Sequence, residues 1–450
     1  MKRRTFLGWG LGAAAGLALA PGLIGRDRRA RAASPGAGEP LLITLHAGGG
    51  WDPLFLTDPK PDPAFNRVSQ DVGQVGEITF SDHAIDPEEL GFNADLSEEY
   101  AEWLLSNRRF FERWGSRTTV FNGVDTKTVN HETGTRFVWS GKSAVGNPAI
   151  GAIVASLGDR SQPLGFLSAG GYDFPGGLVP LSRVGNLGAM QRIIRPNAIN
   201  PDKPQDGSYH SDGTLERIRA ARAARLRSQQ QKTTLPAYQR ALADLEAARE
   251  GVAELARFEL PEDLVDISGN QLNDVENAAR SIQVTLATMK AGFTRAATLS
   301  MGGFDTHGNH DRDHVPRLAK VLGVASFALA EAERQGLADR LWLMIGSDFG
   351  RGPYYNGDGD NAGKDHWANT SMIVAVPPGH AGAWGNRQIG GTNDEARPRK
   401  LAKGTLSLDD GGVSLTPSSV HRSLRAAMGL AGTDADRAFP IPDDELQLFG

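Results

Sequence analysis

The chain has 450 residues, with 48 Lys and Arg against 53 Asp and Glu, and it contains no cysteine. The lack of cysteine excludes disulfide bonds, thiolate metal ligands and a cysteine nucleophile, so any metal ion must be held by oxygen and imidazole ligands. The formal charge is −5, and because residues 1–33 hold seven basic residues and one acid, the remainder is at −11. Such a balance argues against binding of nucleic acid.

The first predicted element is an export signal. Arg3 and Arg4 precede a Gly/Ala-rich apolar stretch that runs to about residue 24, and residues 30–32 (Ala-Arg-Ala) offer a cleavage site. The stretch is short and rich in glycine for a stable membrane span, although the basic residues behind it leave an uncleaved anchor as an alternative. We therefore predict a twin-arginine signal peptide over residues 1–33. The protein would meet the twin-arginine translocation machinery, be periplasmic or secreted, and have no stable membrane span in its mature chain.

Short apolar strands alternate with helical stretches over residues 34–450, as is typical of an α/β domain with a largely parallel sheet. The predicted strands cover residues 41–46, 118–121, 164–167, 297–301, 341–346 and 372–376. The predicted helices cover residues 98–114, 131–139, 148–157, 315–335 and 418–429. Between about 207 and 290, apolar residues recur every three or four positions, which predicts a helical insertion packed on itself and on the core. A cap over an active site or an oligomer contact is the alternative role for it.

Three of the predicted strands each lead into a turn that carries an aspartate. These residues are Asp52, Asp305 and Asp348. Ligands bind at the carboxyl ends of parallel strands, where three unpartnered carboxylates would repel one another and raise each other's pKa. A divalent cation converts that repulsion into coordination. A single aspartate after a strand is usually a turn or cap residue, so the hypothesis depends on all three together.

Histidines follow the same strands. His307 comes two residues after Asp305, His366 stands in a Gly/Asn-rich loop, and His131 follows the second strand. Such a mixture of imidazole and carboxylate suits Zn²⁺, Mn²⁺ or Fe²⁺, whereas an all-oxygen set suits Mg²⁺ or Ca²⁺. We interpret His310 and His314 as surface residues or as residues behind the ligands, and His46 as structural.

A threonine-rich turn leads into the helix predicted at 131–139. It carries Thr126 and Thr128 just before His131. A hydroxyl at a helix N-terminus beside a metal ion would be an activated nucleophile. A capping turn with no chemical role is the alternative.

Three motifs resemble those of an exported family, domain of unknown function 1501, which is grouped with the alkaline phosphatase and sulfatase superfamily. They are GGFDTH at 302–307, SDFGR at 347–351, and Asp365-His366 in its Gly-rich loop. The resemblance implies an alkaline-phosphatase-like three-layer α/β sandwich with a largely parallel central sheet and a metal centre at the strand ends. It also implies two ion sites, one held by Asp52 and Asp348 and the other by Asp305, His307 and His366.

The chain departs from the superfamily pattern at three positions. Phe349 stands where a histidine commonly follows the aspartate, Asn130 where the related family often has serine, and Trp367 where glycine is usual. Asparagine cannot serve as an alcohol nucleophile, so we favour water over Thr126 or Thr128 as the attacking group.

The leading hypothesis is an exported metal-dependent hydrolase of a phosphate or sulfate ester, carried by a small molecule or a glycan. One or two divalent ions (Zn, Mn, Mg or Ca) would polarise the ester and activate water or a threonine hydroxyl. Arg351 would pair with the substrate oxyanion, or else be a structural salt-bridge partner. The alternative is a non-enzymatic exported binding protein on the same fold with a degenerate metal site.

Overall fold

The computed structural model describes residues 38–158, 162–184, 187–201, 203–255, 258–267, 269, 271–442 and 446–449, so the predicted signal peptide lies outside the described residues. The strands are β1 (Leu41–Ala47), β2 (Val72–Val75), β3 (Ile78–Ser81), β4 (Thr118–Asp125), β5 (Phe166–Ala169), β6 (Leu181–Arg183), β7 (Ala296–Met301), β8 (Leu341–Ser347), β9 (Gly350–Tyr355), β10 (Lys364–Trp367), β11 (Asn369–Ala375), β12 (Arg387–Gly390), β13 (Lys400–Leu401) and β14 (Val413–Ser414). The helices are α1 (Ser97–Trp103), α2 (Asn107–Trp114), α3 (His131–Ser140), α4 (Ile150–Ala155), α5 (Leu187–Ile194), α6 (Asp212–Lys232), α7 (Pro236–Leu255), α8 (Asn273–Lys290), α9 (His310–Arg334), α10 (Ala381–Trp384), α11 (Pro417–Ala427) and α12 (Asp434–Ala438).

The central sheet has eight strands in the order β12-β4-β11-β8-β1-β7-β5-β6. β11 is antiparallel to both of its neighbours, and the other pairs are parallel. β1 lies in the middle, with Leu45 level with Leu299 of β7 and Ile345 of β8. The predicted largely parallel sheet is confirmed.

Side chains along the central strands point alternately to the two faces of the sheet, and an apolar layer covers each face. Leu41, Ile43 and Leu45 of β1 face one cluster, which holds the buried faces of α8 and α9. Leu42 faces the other cluster, which is built from α3, α4 and α11. Since side chains alternate between the faces of a strand, the burial of every residue of β1 is typical of a sheet covered on both sides. The result is the predicted three-layer sandwich.

The single helix predicted over 98–114 is wrong, because the chain breaks between α1 and α2. The backbone N–H of Leu105 donates to the carbonyl of Ala319 in α9 (3.1 Å) instead of continuing a helix. The hydroxyl of Ser106 then accepts a bond from the backbone N–H of Arg109 (3.2 Å) and caps the new helix. A long-range contact therefore overrides the local helical pattern.

The segment predicted to be a helical insertion consists of α6, α7 and α8. α6 packs along α7, whereas α8 packs on α9 and β7 and belongs to the core layer. The apolar pattern in and just before α7 is only partly buried: Leu242 is enclosed, but Leu235 and Tyr238 are 68% and 47% exposed, so the predicted packing of this stretch on itself and on the core is met only in part. Within the described part of the chain, no helix has both the length and the apolarity needed to cross a bilayer.

Candidate metal centre

The sheet topology brings the carboxyl ends of β8, β1 and β7 together, because these strands are adjacent and parallel. Asp348 follows β8 directly and Asp305 lies shortly after β7, while β4 leads through a turn to His131 at the start of α3. The β9–β10 hairpin sets His366 opposite Arg351. One cluster thus unites most of the predicted site residues: His131, Asp305, His307, Asp348, Arg351 and His366.

Asp305 is at the centre of the cluster. Its Oδ1 lies 3.0 Å from Nε2 of His307 and 3.0 Å from Nε2 of His366, and its Oδ2 lies 3.6 Å from Nε2 of His131. Burial raises the pKa of Asp305, but the buried guanidinium of Arg351, which donates a hydrogen bond to Oδ1, outweighs it and lowers the pKa below its usual value. Asp305 is therefore ionised at neutral pH.

Each of the three imidazoles has its Nδ1 bound to an acceptor. His131 Nδ1 lies 2.5 Å from Asp348 Oδ2, His307 Nδ1 lies 3.3 Å from Asp365 Oδ1, and His366 Nδ1 lies 2.9 Å from the carbonyl of Val129. Carbonyl and carboxylate oxygens only accept, so each ring can carry its proton on Nδ1, which leaves the lone pair of Nε2 for a metal ion shared with Asp305. The Nε2 atoms, with their lone pairs, then face Asp305, as in histidines oriented for a metal ion.

The spacing of these nitrogens favours a cation. Nε2 of His307 and Nε2 of His366 are 3.0 Å apart, so their lone pairs repel unless a proton or a metal ion lies between them. One ligand atom each from His131, Asp305 and His366 also lie within 4.8 Å of one another. Three imidazoles and one carboxylate suit Zn²⁺ or Mn²⁺ in particular, so the residues present fit a divalent ion.

Asp348 orients His131, whereas the motif resemblance implied that it holds an ion itself. Trp139 donates its indole N–H to Nδ1 of His46 (2.9 Å), which leaves the proton of His46 on Nε2, 3.2 Å from Asp348 Oδ1. Burial lowers the pKa of His46 and keeps it neutral. The backbone N–H of Gly49 adds contacts of 3.2 Å to both carboxylate oxygens. His46 thus belongs to the site, and the only sequence signal for this is its position near the end of β1.

Two glycines permit the close approaches that build the cluster. Gly49 has φ of +122°, and a Cβ there would collide with the backbone of Phe304 and Asp305. Gly134 of α3 lies against the carbonyl of Asp348, where a Cβ would also collide. The first glycine needs its backbone freedom and the second its lack of a side chain.

Phe349 forms a wall of the cluster. Its buried ring lies 4.7 Å from the ring centre of His131 and 4.5 Å from that of His366. Phe349, where the motif resemblance led us to expect a histidine, therefore holds two of the candidate ligand rings in place by packing.

Asp52 is not brought to this cluster. Its carboxylate is fully buried, and Oδ1 accepts a bond from the backbone N–H of Leu54 (2.9 Å). Oδ2 accepts bonds from Nζ of Lys364 (2.7 Å) and Nε2 of His310 (3.1 Å). Although burial opposes ionisation, Lys364 and His310 lower the pKa of Asp52. Burial in turn lowers the pKa of Lys364, and Asp52 counteracts it. An ion shared by Asp52 and Asp348 therefore does not fit.

Four residues behind the cluster form a closed ring of hydrogen bonds, the Asp52 ring. The backbone N–H of Asp52 donates to Nε2 of His314 (2.8 Å), whose Nδ1 donates to the hydroxyl of Thr306 (3.0 Å). Thr306 donates to Nδ1 of His310 (2.7 Å), and Nε2 of His310 donates to the carboxylate of Asp52 (3.1 Å). Because a backbone N–H can only donate, it fixes the direction of every other bond.

The Asp52 ring decides between the two interpretations of His310 and His314: both lie behind the candidate ligands and neither is at the surface. Both are fully buried, and burial is the main cause that lowers the pKa of each, so both stay neutral. Thr306 stands between Asp305 and His307 in the chain. The ring therefore anchors the segment that supplies two of the candidate ligands.

Arg351 is not open to a substrate. Its side chain is fully buried, donating from Nε to the carbonyl of Gly50 (2.9 Å) and from Nη1 to that of Lys364 (3.0 Å). Its Nη2 donates to the carbonyl of Gly49 and to Asp305 Oδ1, the latter at 2.5 Å. Of the two predicted roles, the contacts support the structural one.

The two threonines are held by their own turn. The buried hydroxyl of Thr126 donates to the carbonyl of Thr128 (3.0 Å), and the hydroxyl of Thr128 accepts from the backbone N–H of Asn130 (3.1 Å). Asn130 caps α3 by accepting from the backbone N–H of Thr133 (3.0 Å). This geometry favours the capping turn over a threonine nucleophile.

The fold and the cluster define a mostly parallel α/β sandwich with a candidate metal centre at the carboxyl ends of its strands. Residues 39–384 match the model of the family described as "Protein of unknown function (DUF1501)", and the chain belongs to that family. No curated protein matches the sequence.

Solved structures similar to this chain include phosphatases and sulfatases. Alkaline phosphatase from the Antarctic bacterium TAB5 is 10% identical, with 78% of this chain and 94% of that chain covered and a TM-score of 0.32. The PsFucS1 sulfatase from Pseudoalteromonas sp. is 9% identical, with 91% and 73% covered and a TM-score of 0.32. Ps i-CgsB, in complex with k-i-k-neocarrahexaose, is 8% identical, with 90% and 75% covered and a TM-score of 0.34. The family membership expected from the motifs is confirmed.

Proposed function

We propose that this protein is an exported metal-dependent hydrolase of phosphate or sulfate esters, with His131, Asp305, His307 and His366 as the metal ligands. One observation carries the proposal: three imidazoles have Nδ1 tied to an acceptor and Nε2 turned to an ionised carboxylate. When bound, a divalent ion supplies a Lewis acid that polarises an ester oxygen. Zn²⁺ or Mn²⁺ suits the donors better than Mg²⁺ or Ca²⁺.

Contacts with the surrounding residues fix the orientation of these ligand side chains. Asp348 keeps the proton of His131 on Nδ1, and Arg351 fixes Asp305 through a 2.5 Å bond to Oδ1. Phe349 excludes water from one side, which strengthens electrostatic interactions within the site. The other side is open, because the side chains of Asp305, His307 and His131 are 47%, 47% and 41% exposed. An ester on a small molecule or a glycan can therefore approach from solvent.

Water is the attacking group in this proposal. The hydroxyls of Thr126 and Thr128 are engaged within their turn, and the side chain of Asn130 caps α3. In the proposal, Thr126 and Thr128 therefore keep the turn in shape and set the position of His131.

Metal analysis followed by an ester panel tests the proposal. The full chain, purified from cells, is expected to contain a divalent transition metal and to hydrolyse at least one phosphate or sulfate ester. Asp305→Ala removes the central carboxylate and should lower the rate by at least about 100-fold. Asp410→Ala, at an exposed aspartate, is the matched control and should leave the rate unchanged. Undiminished activity in Asp305→Ala would refute the assigned site.

The alternative function is an exported binding protein that keeps the metal centre without catalysis. The engagement of Arg351 and Thr126 favours it, because both side chains are buried and hydrogen-bonded, so the structure offers neither of them to a substrate. Bound metal without hydrolysis of any ester in the panel would support this alternative.

Export rests on the sequence of residues 1–33. Cell fractionation of an Arg3→Lys/Arg4→Lys variant tests it, with Lys2→Arg as the matched control. The wild type and the control are expected outside the cytoplasm, and the double variant inside it. Equal export of all three would exclude the twin-arginine route.

A further inference from the structure

Asp52 follows the central strand β1 at its carboxyl end, where the motif resemblance implied a second ion. Its carboxylate is nevertheless already fully hydrogen-bonded to other residues. The carboxylate accepts three hydrogen bonds, from the backbone of Leu54, from Lys364 and from His310. Both nitrogens of His310 and both of His314 are used within the Asp52 ring. No lone pair of these imidazoles is left for a metal ion.

Lys364 sits in a pocket shaped for a cation. Its Nζ donates to Asp52 Oδ2 (2.7 Å) and to the carbonyl of Phe65 (2.5 Å). The same atom lies 4.9 Å from the ring centres of Phe55 and Tyr355, whose faces attract positive charge. The side chains of Lys364 and Asp52 are both 0% exposed, so solvent does not screen the pair.

The backbone of Lys364 is hydrogen-bonded to the segments that carry the candidate ligands. The carbonyl of Lys364 accepts a bond from Arg351, and its backbone N–H donates to the carbonyl of Thr306 (3.1 Å). Lys364 also precedes Asp365 and His366 on β10. The same segments therefore position both the ammonium group of Lys364 and the candidate metal ligands.

We propose that the ammonium group of Lys364 replaces the second metal ion of a two-ion centre, so that the protein binds one divalent ion only. A second divalent ion on Asp52 would have to displace the ammonium or lie beside it, where like charges repel in a buried site. This inference rests on the proposed function, because it takes the ion at His131, Asp305, His307 and His366 as the first one.

Metal stoichiometry tests the inference without reference to activity. The full chain is stripped with a chelator and titrated with Zn²⁺ by calorimetry, with bound zinc counted by elemental analysis. The wild type is expected to bind one equivalent. Asp52→Asn/Lys364→Met removes both buried charges together, and it should still bind one equivalent with an affinity within about threefold of the wild type. Lys364→Met alone leaves the buried Asp52 carboxylate without its cation, so it should lower the denaturation midpoint of the metal-free protein, and Asp52→Asn/Lys364→Met should restore most of that loss.

The outcomes separate this inference from the proposed function. Two equivalents in the wild type, with one lost in Asp52→Asn/Lys364→Met, would overturn the inference and leave the hydrolase intact. A Lys364→Met protein as stable as the wild type would overturn the role of the lysine as the cation that Asp52 requires. No bound zinc in the wild type would overturn both proposals.

Discussion

Replacing Thr306 by valine should open the Asp52 ring while keeping the shape of the side chain. The Nδ1 proton of His314 then has no acceptor and Nδ1 of His310 has no donor, and both rings are fully buried. A net hydrogen bond is worth about 1 kcal/mol, and an unsatisfied buried group costs about 1–3 kcal/mol. The rings cannot compensate by shifting their protons, because the backbone N–H of Asp52 fixes His314. We expect a loss of about 2–4 kcal/mol of unfolding free energy.

Guanidinium denaturation of the metal-free protein measures this loss without a contribution from metal binding. Thr294→Val is the matched control, since Thr294 is also buried and its hydroxyl has no hydrogen-bond partner among the described residues. The control should change the unfolding free energy by less than about 0.5 kcal/mol. If Thr306→Val costs no more than Thr294→Val, the closed ring is refuted.

Three further changes have defined outcomes. Asp348→Asn should weaken zinc affinity about 10–100-fold in a chelator competition, because His131 loses its carboxylate partner; unchanged affinity would contradict this role. Gly49→Ala should destabilise the protein by at least about 1–3 kcal/mol in denaturation, because its φ of +122° and the adjacent backbone exclude a Cβ. Burial lowers the pKa of His421 to about 3 in the folded protein, against 6.5 when it is unfolded. Below pH 6.5 the unfolded state therefore binds more protons than the folded state, and the free energy of unfolding falls as the pH falls. That loss is about 2 kcal/mol between pH 7 and pH 5, and His421→Gln, which keeps a donor for Val138, should remove it; an equal loss in both proteins would contradict the assignment.

The strand-end pattern predicted where the cluster forms, because it depends on a rule of parallel sheets. Asp305 and Asp348 follow β7 and β8, and the topology places these strands on either side of β1. Their position at one edge of the sheet thus follows from the order of short apolar runs and turns. Applied to Asp52, the same rule correctly predicted that it lies at this edge of the sheet. It did not predict which residues bind its carboxylate.

The partners of Asp52 depend on distant contacts that no local pattern shows. Lys364 lies 312 positions further along the chain and reaches Asp52 through the β9–β10 hairpin. That hairpin was not predicted, because its strands are short and are separated by a Gly-rich loop. His310 and His314 are spaced by one helical turn near charged residues, which is also the pattern of a solvent-exposed face. Only the packing of α9 against Phe55 and Phe304 shows that this face is buried.

The Asp52 ring has a consequence for how the sequence can change in evolution. It begins at the backbone of Asp52 and ends at the side chain of the same residue, so the loss of any one side chain leaves two buried neighbours unsatisfied. Substitutions at Asp52, Thr306, His310 and His314 should therefore be accepted together or not at all. Among related sequences these four positions, with Lys364, should vary as one group, separately from the residues of the candidate metal centre.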